Sequence, residues 1–465
     1  MTGKLTRRMF VRTVSALGAG VAGASIIAAC APKATPAPAP TKEEVPVQKE
    51  PTAAPAAKGP VVLQLHMRAG GEQSEAPIYV MRPAEFMEEH PEIKVELAPI
   101  PGGEYDVKIL TMAAARTLGD CMWTADVWTD HTRYCKIGII ATVDEHLDAA
   151  GVSKSEWLPA CVDTLSHEGK MYGLPKCSHP GESFIYLNEE LFEAAGIPVP
   201  DTPGHTPEQV MEWAEKLAKG PEKDREVFGF APAHGNIMAT TNGGRLFGTY
   251  ENNAEGTKSL YDAPEWLQWV KWVETFYRRG LAPQSEHLPA GGLTALFAAQ
   301  KVAMVANGRW WWKEAKRAAE EAAEKPFRFK AISLCRTPNA KGWIAGVDTH
   351  SATTYTKHPY EAFQFIYALA DKRFTELVAQ NIGYLTARGD DIETVKPFLT
   401  PWLQLQYENM LEEEMFRQPA NARGREVQTV LQNELATIWL GDEKASPEFM
   451  NRLKSEVDKI LDKPF

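Results

Sequence analysis

The chain has 465 residues, 44% of them hydrophobic, which is enough for two packed cores because a single core rarely grows beyond roughly 250–300 residues. Its formal net charge of −11 and its pI near 5.6 argue against nucleic acid as a partner. The eleven histidines are scattered and no Cys-x-x-Cys or Cys/His spacing suggests zinc, so we expect neither a metal site nor a cofactor.

The N-terminus resembles an export signal. Residues 1–12 carry four cations and no acid, while residues 13–29 are uncharged and rich in small apolar side chains. This apolar core is too short and too weakly hydrophobic for a dependable membrane span, which needs about 20 strongly apolar residues. The paired Arg7 and Arg8 resemble the twin-arginine export motif. An ordinary secretory signal that contains an arginine pair and a cysteine by chance is the alternative.

A lipid anchor and a tether are predicted to follow this signal. Ile27–Cys30 resembles a lipobox, in which small residues admit a peptidase and Cys30 takes the lipid, so we assign residues 1–30 to a signal peptide with its lipobox. Residues 31–60 are rich in alanine and proline, and such a segment stays extended at about 3.1 Å per residue. We therefore expect an extracytoplasmic protein, anchored to the lipid bilayer of the cell membrane through acylated Cys30, on the periplasmic side or at the cell surface.

Strands and helices alternate in the part that follows the tether. The predicted elements are a strand at Val61–His66, a helix around Pro83–Glu89, a strand at Ile93–Ala98, a helix at Tyr105–Arg116, a third strand at Ala125–Trp128 and a short helix near Asp144–Ala149. This alternation predicts a parallel or mixed sheet covered by helices on both faces. Ligands of such sheets bind beyond the carboxyl ends of the strands, which indicates the loops His66–Gly71 and Trp128–His131.

The stretch Tyr172–Gly196 is predicted to lead from one lobe into a second. Ser183–Leu187 has the pattern of a short apolar strand. Asn188 can cap a helix whose first turn holds two acids, which face the positive end of the helix dipole, and Gly196 can end that helix. The sequence therefore predicts a strand, a cap and a helix at this point.

Two further helices carry start signals. Thr206 and Gln209 form a capping box around Pro207, and Asp262–Glu265 is predicted to repeat this arrangement. The second helix has an apolar face that we interpret as core packing, formed by Trp266, Trp269, Val270, Val273, Phe276 and Tyr277. The later predicted elements are a helix at Leu293–Gln300, a strand at Lys301–Ala306, a charged and solvated helix at Glu314–Lys325, a strand at Phe327–Leu334, and helices at Pro359–Leu369 and Phe449–Leu461.

The cysteines beyond the lipobox leave two alternatives open. They are Cys121, Cys135, Cys161, Cys177 and Cys335. Outside the cytoplasm, disulfides between Cys121 and Cys135 and between Cys161 and Cys177 are plausible, which leaves Cys335 alone. Buried thiols are the other alternative.

The order and spacing of several segments are together specific. These segments are Phe86–Leu97 (FMEEHPEIKVEL), Gly119–Trp128, Gly138–Asp148 (GIIATVDEHLD), Gly169–Lys176 (GKMYGLPK), Ile185–Pro203, Leu296–Trp311, His358–Leu369 and Ile382–Arg388. In this order the chain resembles the family 1 extracellular solute-binding proteins of ABC importers, which are maltose-binding-protein-like. One departure is Cys121–Thr124, which stands as an insertion before the third strand of the family pattern.

The resemblance implies an α/β fold of the type II periplasmic-binding-protein-like class, with two lobes, three crossovers and an interlobe cleft. We place the crossovers near Glu182–Tyr186, Ala345–Ser351 and Met415–Ala420. The first lobe is expected to comprise residues 61–183 with 347–415, and the second lobe residues 184–346 with 416–465. The family's function implies a monomer that captures a small-molecule solute by hinge closure and delivers it to an ABC permease.

Ligands of this family are mostly sugars and oligosaccharides. Sugar hydroxyls suit charged or planar hydrogen-bond partners, and the C–H face of a sugar packs on an aromatic ring. The candidate ligand-binding residues of the first lobe are Arg68, Trp128, Asp130, His131 and Asp348. Those of the first crossover and the second lobe are Glu182, His234, Asn236, Trp310 and Trp311. Arg425 begins the helix after the third crossover and is expected to reach in from the far side.

Structural roles are the alternative for several of these residues. Trp128 could be plain core, Asp130 could cap a helix, and Arg68 could pair with a nearby carboxylate. Glu182 and Asp348 flank crossovers and could only fix the geometry of the hinge. In the tryptophan run after Gly308, we expect one ring in the cleft and at least one in a structural role.

A secreted hydrolase is the competing functional class. Two carboxylates such as Glu182 and Asp130 could serve a glycosidase. The sequence lacks a G-x-S-x-G elbow, an H-E-x-x-H helix and an S-x-x-K nucleophile in a credible setting. We therefore predict a binding protein without catalytic residues. A binding protein of the same architecture for a peptide, a polyamine or a metal chelate is the other alternative.

Overall fold

The structure is a computed structural model of the full chain. It describes residues 59–69, 76–125, 131–178, 183–200, 204–232, 243–308, 311–340, 343–383, 385–401, 404, 407–408, 411, 415–416 and 422–464. All of these belong to one compact unit, Ala57–Phe465. The predicted export signal with Arg7 and Arg8, the lipobox with Cys30, and nearly all of the tether lie outside the described residues. Within the described residues, no helix combines the length and the apolarity that crossing a membrane requires.

The strands are given first because they define the two lobes. They are β1 (Val61–Ala69), β2 (Ile93–Pro101), β3 (Cys121–Ala125), β4 (Ser166–His167), β5 (Lys170–Met171), β6 (Leu174–Ser178), β7 (Ser183–Asn188), β8 (Phe228–Ala231), β9 (Val302–Gly308), β10 (Phe329–Ser333), β11 (Trp343–Ile344), β12 (Val347–Ala352) and β13 (Met415–Phe416).

The helices cover both faces of the sheets. They are α1 (Ala76–Glu89), α2 (Tyr105–Ala114), α3 (His131–Lys136), α4 (Asp144–Ala150), α5 (Pro159–Thr164), α6 (Glu189–Ala194), α7 (Pro207–Leu217), α8 (Gly243–Phe247), α9 (Pro264–Arg278), α10 (Gly292–Ala298), α11 (Trp312–Arg317), α12 (Pro359–Ala368), α13 (Lys372–Asn381), α14 (Ile392–Val395), α15 (Gly424–Trp439) and α16 (Pro447–Leu461). Short 3₁₀ turns lie at Gly102–Glu104, Lys154–Glu156, Ser285–His287 and Lys396–Phe398.

The first lobe is built on a five-stranded sheet with the order β2-β1-β3-β12-β6. Strand β1 runs parallel to β2 and β3, whereas β12 is antiparallel to both β3 and β6. The prediction of a parallel or mixed sheet is confirmed, and the sheet is of the mixed kind. The carboxyl ends of β1, β2 and β3 therefore meet at one edge.

The second lobe is built on a four-stranded sheet with the order β10-β7-β9-β8. Strands β8 and β9 are parallel, and β7 is antiparallel to β9 and to β10. Ser183 pairs with Gly308, and Ala231 pairs with Val305, which lies three residues before Gly308 on β9. The start of β7 and the ends of β8 and β9 consequently share one edge of this sheet.

Two of the connections between the sheets run side by side. The chain passes from β10 in the second sheet through β11 to β12 in the first sheet. It returns through β13 to α15, which packs in the core of the second lobe. Strand β11 pairs in parallel with β13, with Trp343 opposite Met415 and Ile344 opposite Phe416. The lobe boundaries themselves stay a prediction.

The aromatic face of α9 lies in the core of the second lobe, as predicted. Trp266, Trp269 and Phe276 are fully buried, and Tyr277 is partly buried against the same cluster. The ring of Trp266 meets that of Trp269 edge-on, with 5.8 Å between the ring centroids. This face therefore packs against α15 and α16 within the lobe.

The helix start signals are confirmed in two of three cases. The Asn188 side chain accepts a hydrogen bond from the backbone N–H of Leu191, and the Thr206 capping box forms with both of its hydrogen bonds. The third prediction is wrong, because Pro264 occupies the first helical position and Ala263 is therefore the N-cap, with no side-chain bond. Asp262 lies one residue too early to cap this helix.

The third strand and one charged helix differ from their predictions. Strand β3 lies at Cys121–Ala125 and so begins four residues before the strand predicted at Ala125–Trp128, whose other residues lie outside the described part of the chain. All five side chains of β3 are buried. It occupies the sheet interior between β1 and β12, so the residues interpreted as an insertion are the strand itself. The helix predicted at Glu314–Lys325 begins at Trp312 and buries Ala315, so one of its sides packs on the lobe.

The five cysteines of the described region are buried thiols, and neither of the plausible disulfides forms. Burial raises the pKa of Cys121 well above its ordinary value, and it raises the pKa of Cys335 as well. The thiolate, not the thiol, is the reactive form of cysteine. Burial and the raised pKa therefore both slow the oxidation and chemical modification of Cys121 and Cys335.

We expect a Cys30→Ser variant to show no rapid thiol reaction while folded. A thiol-specific reagent should titrate five thiols only after denaturant is added, because unfolding exposes the five buried side chains. The measurement is the stoichiometry of modification under native and denaturing conditions, without reductant. Fewer than five thiols in denaturant would indicate a disulfide and contradict the structure.

Candidate functional site

The carboxyl edge of the first sheet is held together by Tyr105 at the start of α2. The Tyr105 hydroxyl lies 2.7 Å from the carbonyl oxygen of Trp123 and 3.1 Å from that of His66. These carbonyls belong to β3 and β1, so a single buried side chain fixes the first turn of α2 over the ends of both strands. The next residue in that turn is Asp106.

Asp106 joins the two lobes. Its Oδ1 accepts a hydrogen bond of 2.8 Å from the Tyr134 hydroxyl, and its Oδ2 lies 2.8 Å from Nε of Arg425. Arg425 also donates from Nη1 to Oε1 of Gln428 over 3.1 Å. Tyr134 packs in the first lobe, whereas α15 carries Arg425 and buries Val427 in the core of the second lobe. We call Asp106, Tyr134 and Arg425 the Asp106 cluster.

The chemistry of this cluster suits a polar solute. A carboxylate, a phenol and a guanidinium offer acceptors and donors in fixed directions, and hydrogen bonds to charged groups are roughly twice as strong as those between neutral groups. Asp106 also lies in the first turn of a helix, where a negative charge is favoured by the helix dipole. Arg425 was predicted as a candidate, and it lies at this interlobe position.

Asp106 and Tyr134 were not among the predicted site residues. One signal in the sequence could have indicated Asp106, because it follows the second predicted strand within the first turn of the next helix. That position is at the carboxyl edge of the sheet, where ligands bind in folds of this kind. Tyr134 carries no comparable signal, since it lies inside the short helix α3.

Arg68 lies at the end of β1 and packs on an aromatic ring. Its guanidinium carbon is 5.5 Å from the centroid of the Trp123 ring, which is the geometry of a cation–π contact. The side chain also passes close to Gly102, where an added Cβ would lie 2.8 Å from Nε of Arg68. Gly102 thus leaves the space that the arginine occupies at this edge.

His131 is the first residue of α3 and is almost completely buried. Its Nδ1 lies 3.0 Å from Oγ1 of Thr124, and that hydroxyl is 3.5 Å from Oγ of Ser351. These contacts place His131 against β3 and β12, on the inner side of the first lobe.

Asp348 lies in a buried network around Lys176, which we call the Lys176 network. The Asp348 Oδ2 is 3.4 Å from Nζ of Lys176, whose side chain is fully buried. The same Nζ lies 3.4 Å from the Tyr79 hydroxyl, which is 3.0 Å from Nε2 of His350. Burial, reinforced by the Lys176 charge, lowers the pKa of His350 well below its ordinary value. Neighbouring strands β6 and β12 carry the ion pair.

Trp311 is buried in the second lobe. Its Nε1 donates a hydrogen bond of 3.1 Å to Oγ1 of Thr294, and its ring meets that of Tyr186 edge-on, with centroids 5.0 Å apart. It also packs on Phe297. Trp311 therefore belongs to the core of the second lobe at the end of β9.

The other predicted ligand-binding residues lie outside the described residues. They are Trp128, Asp130, Glu182, His234, Asn236 and Trp310. Three of these positions come within three residues after the end of a described strand in the sequence, namely Trp128 after β3, His234 after β8 and Trp310 after β9. Within the part of the chain that the structure describes, no group of three or more His, Cys, Asp and Glu side chains is placed to hold a metal ion.

A family model described as "Bacterial extracellular solute-binding protein" matches residues 70–376, which is well over half of the chain. No curated protein sequence matches the chain.

Many solved structures share the fold. An ABC substrate-binding protein from Listeria monocytogenes, in complex with cycloalternan, has a TM-score of 0.73 at 17% identity, covering 86% of this chain and 99% of the other. CpMnBP1 with mannotriose bound has a TM-score of 0.73 at 21% identity, covering 85% and 100%. The sugar-binding protein MalE from Xanthomonas citri has a TM-score of 0.70 at 16% identity, covering 86% and 97%. These likenesses show a two-lobe substrate-binding fold.

Proposed function

Because this chain belongs to the bacterial extracellular solute-binding protein family, we propose that it captures a sugar or oligosaccharide between its lobes and delivers it to an ABC permease. The observation that carries the proposal is the Asp106 cluster, in which polar groups of both lobes meet. The family and the structural neighbours are binding proteins, so we infer no catalytic role for these residues.

The residues around the cleft support a carbohydrate as the solute. Asp106, Tyr134 and Arg425 can exchange their mutual hydrogen bonds for bonds to sugar hydroxyls. Arg68 and Trp123 lie at the same edge of the first sheet, and the tryptophan run follows β9 in the second lobe. Neighbours bound to cycloalternan and mannotriose are consistent with this class of solute.

Closure of the lobes on the solute is the proposed mechanism. A solute that contacts both lobes binds the closed arrangement more tightly and stabilises it by that difference in affinity. The Asp106–Arg425 pair supplies such a two-sided contact point. Residues 61–183 with 347–415 are proposed to move against residues 184–346 with 416–465, with Glu182 and Asp348 near the hinge. The predicted candidates Trp128, Asp130, His131, His234, Asn236, Trp310 and Trp311 remain proposals as solute contacts.

The cellular setting is part of the proposal. We infer export through the twin-arginine signal at Arg7 and Arg8, lipidation at Cys30, and attachment of a monomer to the membrane by the tether. The solute-loaded protein would then dock on the permease. A peptide, a polyamine or a metal chelate is the alternative solute on the same fold.

A thermal-shift panel with the purified protein tests the proposed solute. We expect one carbohydrate among mono-, di- and oligosaccharides, including maltose, maltotriose, mannobiose and mannotriose, to raise the melting temperature. A solute at about 100 times its Kd stabilises the folded state by about 2.7 kcal/mol. The same solute should quench the tryptophan fluorescence, since tryptophans follow the end of β9 in the sequence.

Peptides, polyamines and metal chelates form the other arm of the panel. A response to one of these, with none to any carbohydrate, would contradict the sugar assignment. If the purified protein instead hydrolyses a solute, the competing assignment as a secreted hydrolase would be favoured.

A further inference from the structure

A recess of about 240 Å³ lies beyond the carboxyl end of β8 in the second lobe. The carboxyl ends of β8 and β9 share one edge of the second sheet, so the recess opens at the same edge as the tryptophan run. Its walls include two aromatic rings, two amide side chains and three leucines: Tyr277, Trp439, Gln284, Gln432, Leu288, Leu293 and Leu440. None of these residues belongs to the Asp106 cluster or to the predicted ligand-binding set.

The two aromatic rings form one firm wall. Tyr277 and Trp439 stack with 6.0 Å between their centroids and 26° between their planes. Trp439 also meets the buried Trp269 edge-on at 6.2 Å, which ties this wall to the core of the lobe. Rings held in this way are preorganised for an apolar ligand face, because little side-chain freedom remains to be lost on binding.

The recess and the Asp106 cluster lie on one face of α15. At 100° per residue, positions three or four residues apart fall on the same side of a helix. The members of this face are Arg425, Gln428, Gln432, Ala436 and Trp439. With a rise of 1.5 Å per residue, Gln432 lies about 10 Å and Trp439 about 21 Å along the helix from Arg425. A single sugar ring is too short to span this face.

We propose that the recess is a subsite for one ring of an extended oligosaccharide whose other end lies at the Asp106 cluster. The stacked wall matches the C–H face of a sugar ring, and the amides of Gln284 and Gln432 offer both donors and acceptors to its hydroxyls. The inference rests on the proposed function and adds to it a preference for chain length. In this proposal, Trp439 and Gln432 contact long solutes but not short ones, and so distinguish between them.

An Ala436→Phe variant tests this subsite by filling it. Ala436 lines the recess from the partly exposed side of α15, so a larger side chain there leaves the core of the lobe intact. Binding is measured by calorimetry for the di-, tri- and tetrasaccharides of the maltose and mannose series. For the wild-type protein, we expect the affinity to be about tenfold higher for the first oligosaccharide that is long enough to reach the recess than for the next shorter one. The Ala436→Phe variant should lack this increase and should bind the shorter sugars with wild-type affinity.

Matched variants separate a blocked subsite from a general defect. Asn433→Phe adds the same side chain at an exposed position of the same helix and should keep the rise with length. Gln432→Leu should reduce the rise without filling the space. Equal weakening of all sugars in Ala436→Phe, or an unchanged rise with length, would overturn the subsite alone. Absence of any sugar binding by the wild-type protein would overturn the proposed function, and the subsite with it.

Discussion

Replacing Lys176 with methionine is expected to lower the free energy of unfolding by about 3–5 kcal/mol. The Lys176 side chain is fully buried, and its ammonium group lies 3.4 Å from the Asp348 carboxylate. Methionine fills a similar volume but removes the Lys176 ammonium group from the buried Asp348 carboxylate. Breaking a buried ion pair at one partner is costly for this reason. Urea unfolding followed by tryptophan fluorescence measures the change.

Two further variants test whether the lower free energy of unfolding comes from breaking the Lys176–Asp348 ion pair. Lys170→Met removes a lysine that is exposed on β5 and should leave the stability within about 0.5 kcal/mol of wild type. A Lys176→Met, Asp348→Leu double variant should regain much of the lost stability, because it removes both charges of the buried pair. If Lys176→Met alone unfolds at the wild-type urea concentration, the Lys176 network has no structural role. Asp348 would then be better explained by contact with the solute.

Replacing Asp106 with asparagine is expected to weaken solute binding by about tenfold, measured by calorimetry with the sugar that stabilises the protein most. The change removes the charge that accepts hydrogen bonds from Tyr134 and Arg425, and hydrogen bonds to a charged group contribute about 1.5–3 kcal/mol. In small-angle scattering without solute, the radius of gyration should also rise, because the lobes lose a mutual contact. Asp148→Asn, at an exposed position of α4, is the matched control.

Arg425→Met completes a double-mutant cycle with Asp106→Asn. If the two side chains act as a pair, the double variant should bind the solute about as weakly as either single variant. Strictly additive losses would mean that each residue contacts the solute independently. Wild-type affinity and wild-type scattering in both single variants would contradict a role of the Asp106 cluster in closure.

Local patterns in the sequence are sufficient to predict most of the helices and strands. The cap at Asn188 and the capping box at Thr206 follow from side chains that lie within three residues of the groups they bond. The N-cap at Ala263 shows the limit of that reasoning, because the position of Pro264 decides which residue caps the helix. Strand β3 begins four residues before its predicted start, because the apolar residues Cys121–Trp123 belong to the strand and not to the loop that precedes it.

The site itself was only partly predictable. Arg425 was recognised from its place after the third crossover, but its partner Asp106 lies more than 300 residues earlier in the chain. No local pattern connects such residues. Asp348 was recognised as an acid near a crossover, while its burial against Lys176 depends on the pairing of β6 with β12. Pairing between distant strands is a property of the fold and not of either segment.

The position of β12 in the first sheet has a consequence for the order of folding during synthesis. All four strands of the second sheet come from the continuous stretch between Ser183 and Ser333, so that sheet can form as soon as this stretch has left the ribosome. The first sheet needs β12 between β3 and β6, and Asp348 pairs with Ala125. Strand β6 and one edge of β3 therefore pair with a strand that is synthesised much later, and contacts of such long sequence separation form slowly. Although the first lobe begins the chain, its sheet is completed after the sheet of the second lobe.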